Sequence, residues 1–139
     1  MLQTSSLQSR RQTVLVVDDD LQTREMLGMA LDGAELDARL ASDGLDALEF
    51  LARHLPDLIV LDLDMPRLNG QGLHAALQRN ERTRGIPIIV VTGTTTSVPA
   101  PVAAYLQKPL ALDAFIAQVQ AALAPSHHRD LRIESETAR

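Results

Sequence analysis

Three short apolar runs and one further short strand candidate in this sequence each end on a group that can do chemistry. Val14-Leu15-Val16-Val17 ends on Asp18-Asp19-Asp20. Leu58-Ile59-Val60-Leu61 ends on Asp62, with Asp64 two residues further on. Ile88-Ile89-Val90-Val91 ends on Thr92, and the run from Ala103 to Gln107 ends on Lys108, the single lysine of the chain. Two carboxylates about 5 Å apart repel by about 3 kcal/mol at an effective dielectric of 20. If these residues meet, a cluster of three or four carboxylates with one ammonium calls for a divalent cation. Oxygen donors without histidine or cysteine favour Mg²⁺ or Mn²⁺ over Zn²⁺. A carboxylate beside such a cation can act as a nucleophile toward phosphorus. Phosphoryl transfer needs mainly positioning and charge neutralisation, which Lys108, the Thr92 hydroxyl and the cation would supply.

The elements that must position these groups follow from the pattern. Continuous apolar runs of this length read as strands buried on both faces of a parallel sheet. In an open parallel sheet the ligand crevice lies at the carboxyl ends of the strands, which is where each polar group falls. Strands are expected over 14–17, 35–40 (alternating, near an edge), 58–62, 88–92 and 103–107. Between them, helices are marked by Met26, Leu27, Ala30 and Leu31, by Leu45, Leu48, Leu51, Ala52 and Leu55, by Leu73, Ala76 and Leu77, and by Leu112, Phe115, Ile116, Val119 and Leu123. Asp20 or Thr23 caps the first helix, and Asp32-Gly33 ends it. Asp43-Gly44 and Asn69-Gly70 read as turns, and Arg84-Gly85 as the end of the third helix. Strands alternating with helices imply an α/β fold around a parallel sheet.

Composition agrees with one packed domain. The chain has 139 residues, 45% of them apolar, but only three aromatics, Phe50, Tyr105 and Phe115. Aliphatic side chains must therefore fill the core. The absence of cysteine removes disulfides, thiol nucleophiles and cysteine metal sites. No apolar run approaches the roughly 20 residues of a membrane span, and the polar start lacks the apolar stretch of a secretory signal. A cytoplasmic protein without membrane insertion is expected. Net charge is −5, and residues 12–124 alone carry −7. So acidic a domain makes a poor nucleic-acid binder, and no direct nucleic-acid partner is expected. Residues 1–12 read as a flexible leader, 13–124 as the domain, and 125–139, with His127 and His128, as a disordered polar tail.

Four motifs in order resemble the receiver domains of bacterial two-component response regulators, over about residues 14–123. They are Val16-Val17-Asp18-Asp19, Asp62-Leu63-Asp64-Met65-Pro66 with Gly70 beyond, Val91-Thr92-Gly93, and Lys108-Pro109. The resemblance implies a flavodoxin-like, doubly wound five-stranded parallel sheet of order 2-1-3-4-5. It implies that Asp62 is the phosphoacceptor. Asp18, Asp19, Asp62 and the backbone carbonyl of Asp64 would hold Mg²⁺. Thr92 and Lys108 would bind the phosphoryl group, Thr92 and Tyr105 would form the switch, and the Lys108–Pro109 bond would be cis. The donor would be a sensor histidine kinase or phosphotransfer protein. The acidic Asp64 at the pocket rim is expected to modulate the rate of dephosphorylation.

The sequence departs from the family between Thr92 and Lys108. Only fifteen residues separate them, and Pro99 and Pro101 lie among them. Proline is excluded from helix interiors, so the fourth helix should be shortened or missing and the segment 94–102 mobile. Only fifteen residues follow the last helix, so output is expected through an unidentified downstream protein or onward phosphotransfer. Taken singly, each residue has a plainer reading. Asp18-Asp19-Asp20 could be a helix cap, Thr92 a loop cap, Lys108 a solvated lysine and Tyr105 a core-edge aromatic. Two other functions fit parts of the pattern. One is a receiver-like binding domain not regulated by phosphorylation. The other is a haloacid-dehalogenase-type phosphohydrolase, which shares Asp-x-Asp but normally places it first in the chain.

Overall fold

Each apolar run becomes a strand of one parallel sheet in a computed structural model that describes residues 10–65, 68–93 and 98–125. The strands are β1 (Thr13–Val17), β2 (Asp37–Ala41), β3 (Leu58–Leu61), β4 (Ile88–Thr92) and β5 (Ala104–Gln107). The helices are α1 (Leu21–Gly33), α2 (Gly44–Leu51), α3 (Gly70–Arg79) and α4 (Leu112–Ala122). The order across the sheet is β2-β1-β3-β4-β5, with every pair parallel. This is the expected flavodoxin-like arrangement. Residues 1–9 of the expected leader, 94–97 of the expected mobile segment, and 126–139 of the expected tail, with His127 and His128, lie outside the described residues.

Strand alternation divides the core into two layers. Leu15, Val17, Ile59, Leu61, Ile88 and Val90 face Ala47 and Leu51 of α2 and Leu73 and Leu77 of α3. Val14, Val16, Leu58, Val60, Ile89 and Val91 face Leu27 and Leu31 of α1 and Phe115 and Val119 of α4. Every residue of β3 and β4 is buried, which is why both strands lack polar alternation.

Local chemistry sets the helix starts. Asp20, Asp43 and Asn69 are N-caps whose side chains accept from the N–H groups of Thr23, Asp46 and Gly72 at 2.9, 2.8 and 2.9 Å. Asp43-Gly44 and Asn69-Gly70 are therefore not separate turns, as the sequence suggested, but a cap and a first helical residue. Neither glycine has a positive φ; both are needed for close approach. A methyl at Gly44 would lie 2.8 Å from Leu68 Cβ, and one at Gly70 would lie 2.5 Å from Leu63 Cα and closer still to the Asp62 carbonyl oxygen.

Other boundaries also move. Helix α1 runs through Gly33 and closes on Glu35, whose φ of 65° is in the left-handed region. The N–H of Leu36 then returns to the Leu31 carbonyl at 2.9 Å. This closure takes Glu35 out of β2, which begins at Asp37. Helix α3 stops at Arg79 rather than at Arg84-Gly85. The buried Thr83 hydroxyl donates to the Leu77 carbonyl at 2.8 Å and folds residues 80–85 into a turn of their own. Met26, Leu45, Leu55 and Leu112, expected on buried helix faces, are exposed.

The crossover from β4 to β5 carries no helix over its described residues 98–103. Val98 and Val102 pack there against the α2/α3 layer. The N–H of Ala103 donates to the Ile88 carbonyl at 2.6 Å. The peptide bonds Ala100–Pro101 and Lys108–Pro109 are both cis. Ala104 and Leu106 of β5 join the α1/α4 layer, so Tyr105 points to the opposite face, on the side of the crossover whose described residues 98–103 carry no helix. Its side chain is 39% exposed.

Candidate functional site

Register brings the strand-end residues level. Val17 pairs with Leu61, so Asp18 and Asp62 follow side by side; their N–H groups extend the ladder to Ala41 O at 3.1 Å and Val17 O at 2.9 Å. Thr92 pairs with Gln107, and the N–H of Lys108 donates to the Thr92 carbonyl at 3.0 Å. Asp18, Asp62 and Thr92 are buried, at 2%, 5% and 0% exposure, while Asp19 and Asp64 are exposed. The expected residues are thus collected at the carboxyl edge of the sheet. Tyr105 sits two residues before the end of β5 and is partly exposed.

Lys108 is shared by the two buried acids. Its Nζ donates to Asp18 Oδ2 at 2.8 Å and lies 3.5 Å from Asp62 Oδ2. Burial alone would lower the Lys108 pKa. The hydrogen bond to Asp18 and the charges of Asp18 and Asp62 outweigh it, so the ammonium is held above the ordinary lysine range. Asp62 shifts upward. Burial is the main cause, and the Asp18 charge adds to it; the Asp64 N–H, Lys108 and the Thr92 hydroxyl oppose without cancelling. The Asp64 N–H donates to Asp62 Oδ1 at 3.2 Å, so Asp64 touches the site through its backbone while its carboxylate stays at the rim.

Asp18, Asp19 and Asp62 can each turn an oxygen into a region where all three atoms lie within 4.8 Å of one another. Hard oxygen donors in this number suit Mg²⁺ or Mn²⁺. The lysine beside Asp18 and Asp62 leaves the cluster under-neutralised: three carboxylates face one ammonium.

Two neighbours were not read from the sequence. Arg24, on α1, donates from Nη1 to the Asp18 carbonyl at 2.8 Å. A cation at the positive end of a helix is unfavourable, and that mismatch was a readable signal. His74, on α3, is buried, and its Nε2 lies 2.9 Å from the Pro101 carbonyl. A polar residue inside the Leu73/Leu77 stripe was the corresponding hint.

A parallel sheet of this order, with acids, a hydroxyl and a lysine at its carboxyl edge, defines a receiver-type signalling unit. A family description, the response regulator receiver domain, matches residues 14–120. Response regulator MprA of Mycobacterium leprae is 40% identical over 117 residues, covering 79% of this chain and 50% of the relative. A response regulator receiver protein from Pseudomonas putida superimposes with a TM-score of 0.75 at 31% identity, over 81% of this chain and 98% of that one. Chemotaxis response regulator CheY4 of Vibrio cholerae gives a TM-score of 0.75 at 25% identity, over 82% and 100%. The chain belongs to the response regulator receiver family. It spans about half the length of the curated relatives it matches. No helix among the described residues is long and apolar enough to cross a membrane.

Proposed function

We propose that this chain is a receiver unit that takes a phosphoryl group on Asp62 and signals through protein contacts or onward phosphotransfer. The observation that carries the reading is the convergence of Asp62 with Asp18, Asp19, Thr92 and Lys108 at one sheet edge. The donor is a histidine kinase or histidine phosphotransfer protein. A carboxylate oxygen of Asp62 attacks phosphorus, the phosphorus–nitrogen bond of the donor phosphohistidine breaks, and the imidazole leaves with the bonding pair. Lys108, within reach of Asp62, neutralises charge on the phosphoryl oxygens, and the Thr92 hydroxyl donates to one of them. Asp18, Asp19 and Asp62, with the Asp64 backbone carbonyl, would hold Mg²⁺, which supplies charge neutralisation for the transferred group. Burial raises the Asp62 pKa, which makes its carboxylate more basic and hence more nucleophilic. Asp64 at the rim sets access of water to the acyl phosphate, so Asp64→Asn should change the dephosphorylation rate.

Intact mass after incubation with acetyl phosphate tests this reading. A single phosphoryl adduct that needs Mg²⁺, disappears with chelator and is absent in Asp62→Asn is expected. A folded wild-type chain that forms no adduct, and does not bind beryllofluoride either, would leave instead a receiver-like binding domain.

A further inference from the structure

The crossover, whose described residues 98–103 carry no helix, is held by a residue with no part in the acceptor chemistry. Pro99 and Pro101 have no N–H to give, and coil carbonyls next to a core need donors. His74 supplies one. It is 5% exposed, and its Nε2 lies 2.9 Å from the Pro101 carbonyl. A carbonyl only accepts, so Nε2 carries the proton.

His74 lies on the buried face of α3, one turn beyond Gly70. Gly70 is where α3 presses on the acceptor loop: its N–H donates to the Leu63 carbonyl at 3.1 Å, and no room for a methyl remains against Asp62 and Leu63. The same helical turn therefore touches the Asp62 loop at its start and the crossover at its end. The crossover in turn feeds β5 through the Ala103 N–H on Ile88. Gly70 is tied to the Asp62 loop by its hydrogen bond to Leu63 and by an approach too close for a side chain. Movement of that loop toward or away from the helix is therefore passed to the start of α3.

We propose that His74 is a positioning residue that makes the Asp62 loop, α3 and the 98–107 segment respond as one unit, taking over the coupling a crossover helix would provide. The inference rests on the reading of Asp62 as acceptor and deepens it by naming the segment that carries the signal.

The test uses the full chain with Mg²⁺ and beryllofluoride, which mimics an acyl phosphate. Fluorine NMR reports whether beryllofluoride is bound, and hydrogen exchange of peptides covering 98–107 reports the response. In wild type, binding should change exchange there by about fivefold or more, the lower end of typical coupling between sites. His74→Leu should still bind beryllofluoride but lose that response, and His74→Gln, which keeps a donor at similar reach, should restore it. A folded His74→Leu that responds like wild type overturns the proposal. So does a wild type that binds beryllofluoride with 98–107 unchanged, an outcome that leaves the acceptor reading standing. No bound fluorine signal in wild type instead removes the acceptor reading and the coupling with it. Should His74→Leu not fold, the wild-type ring decides. A slowly exchanging His74 Nε2–H whose resonance moves on beryllofluoride binding supports the strut; an Nε2–H that exchanges freely or stays fixed refutes it.

Discussion

Replacing Gly70 with alanine should damage stability and phosphoryl acceptance together. The added methyl would sit 2.5 Å from Leu63 Cα, where ordinary contact begins at 3.4 Å, and nearer still to the Asp62 carbonyl oxygen. Backbone on both sides has no flexible end to move aside, so α3 or the acceptor loop must shift by about 1 Å. Overpacking of this kind costs about 1–3 kcal/mol. Relief of glycine's conformational entropy in a helix returns roughly 0.5–1 kcal/mol. The net loss is about 0.5–2 kcal/mol, or roughly 2–8 °C in Tm for a domain of this size. A 1 Å misplacement of a reacting group can cost about 100-fold in rate, so phosphorylation by acetyl phosphate should slow by roughly 10- to 100-fold. Gly33→Ala is the matched control. Its methyl meets nothing within 4 Å and its φ is not positive, so it should gain about 0.4–1 kcal/mol. Thermal unfolding and adduct formation timed by intact mass, on both variants, measure the contrast. Gly70→Ala behaving like Gly33→Ala would refute the close-approach reasoning.

Three further outcomes follow from the same geometry. Lys108→Ala leaves the buried Asp18 and Asp62 without their shared cation, and should cost about 2–3 kcal/mol, less than a fully buried pair because Lys108 is partly exposed; added Mg²⁺ should raise the Tm of this variant more than that of wild type. Asp62 has a raised pKa in the fold, so its favourable contribution is complete below the ordinary aspartate value and is lost as pH rises through the shifted one. Without Mg²⁺, Asp62→Asn should therefore be more stable than wild type at pH 7, and the difference should shrink as pH falls toward about 4 and level off below it, as followed by denaturant unfolding. Asp43→Ala removes the acceptor for the Asp46 N–H at the start of α2 and should cost about 1 kcal/mol by the same assay, without changing adduct formation.

The strands and their terminal residues were legible because a fully buried parallel strand must be apolar throughout, so the first polar group marks its end. That is how Asp18, Asp62 and Thr92 could be placed at one edge from sequence, whereas Lys108 follows a short half-buried strand that ends on Gln107. Two prolines in a short interval were enough to rule a full helix out of the crossover. What stayed hidden depended on tertiary neighbours. Gly44 and Gly70 look like turn residues, and only the backbone packed against them shows that they are glycine for want of space. The end of α3 depends on a Thr83 hydroxyl reaching back to Leu77, and the start of β2 at Asp37 on Glu35 in a left-handed conformation that its type disfavours, whereas Asp32-Gly33 marked the end of α1 correctly. Met26 and Leu45 match a helical stripe yet fall on the solvent side, because periodicity gives the width of a face and not its aim. Arg24 and His74 act on backbone carbonyls, which no side-chain motif records. The partial exposure of Tyr105 is visible only through the alternating burial of β5.

The central claim is that Asp62, among four neighbouring aspartates, forms the acyl phosphate. Borohydride reduces an aspartyl phosphate to homoserine, and peptide mass analysis then locates the reduced residue. After acetyl phosphate and Mg²⁺, the account requires homoserine at position 62 and nowhere else. Homoserine at 18, 19 or 64, or none in a chain that has gained a phosphoryl group, would contradict it.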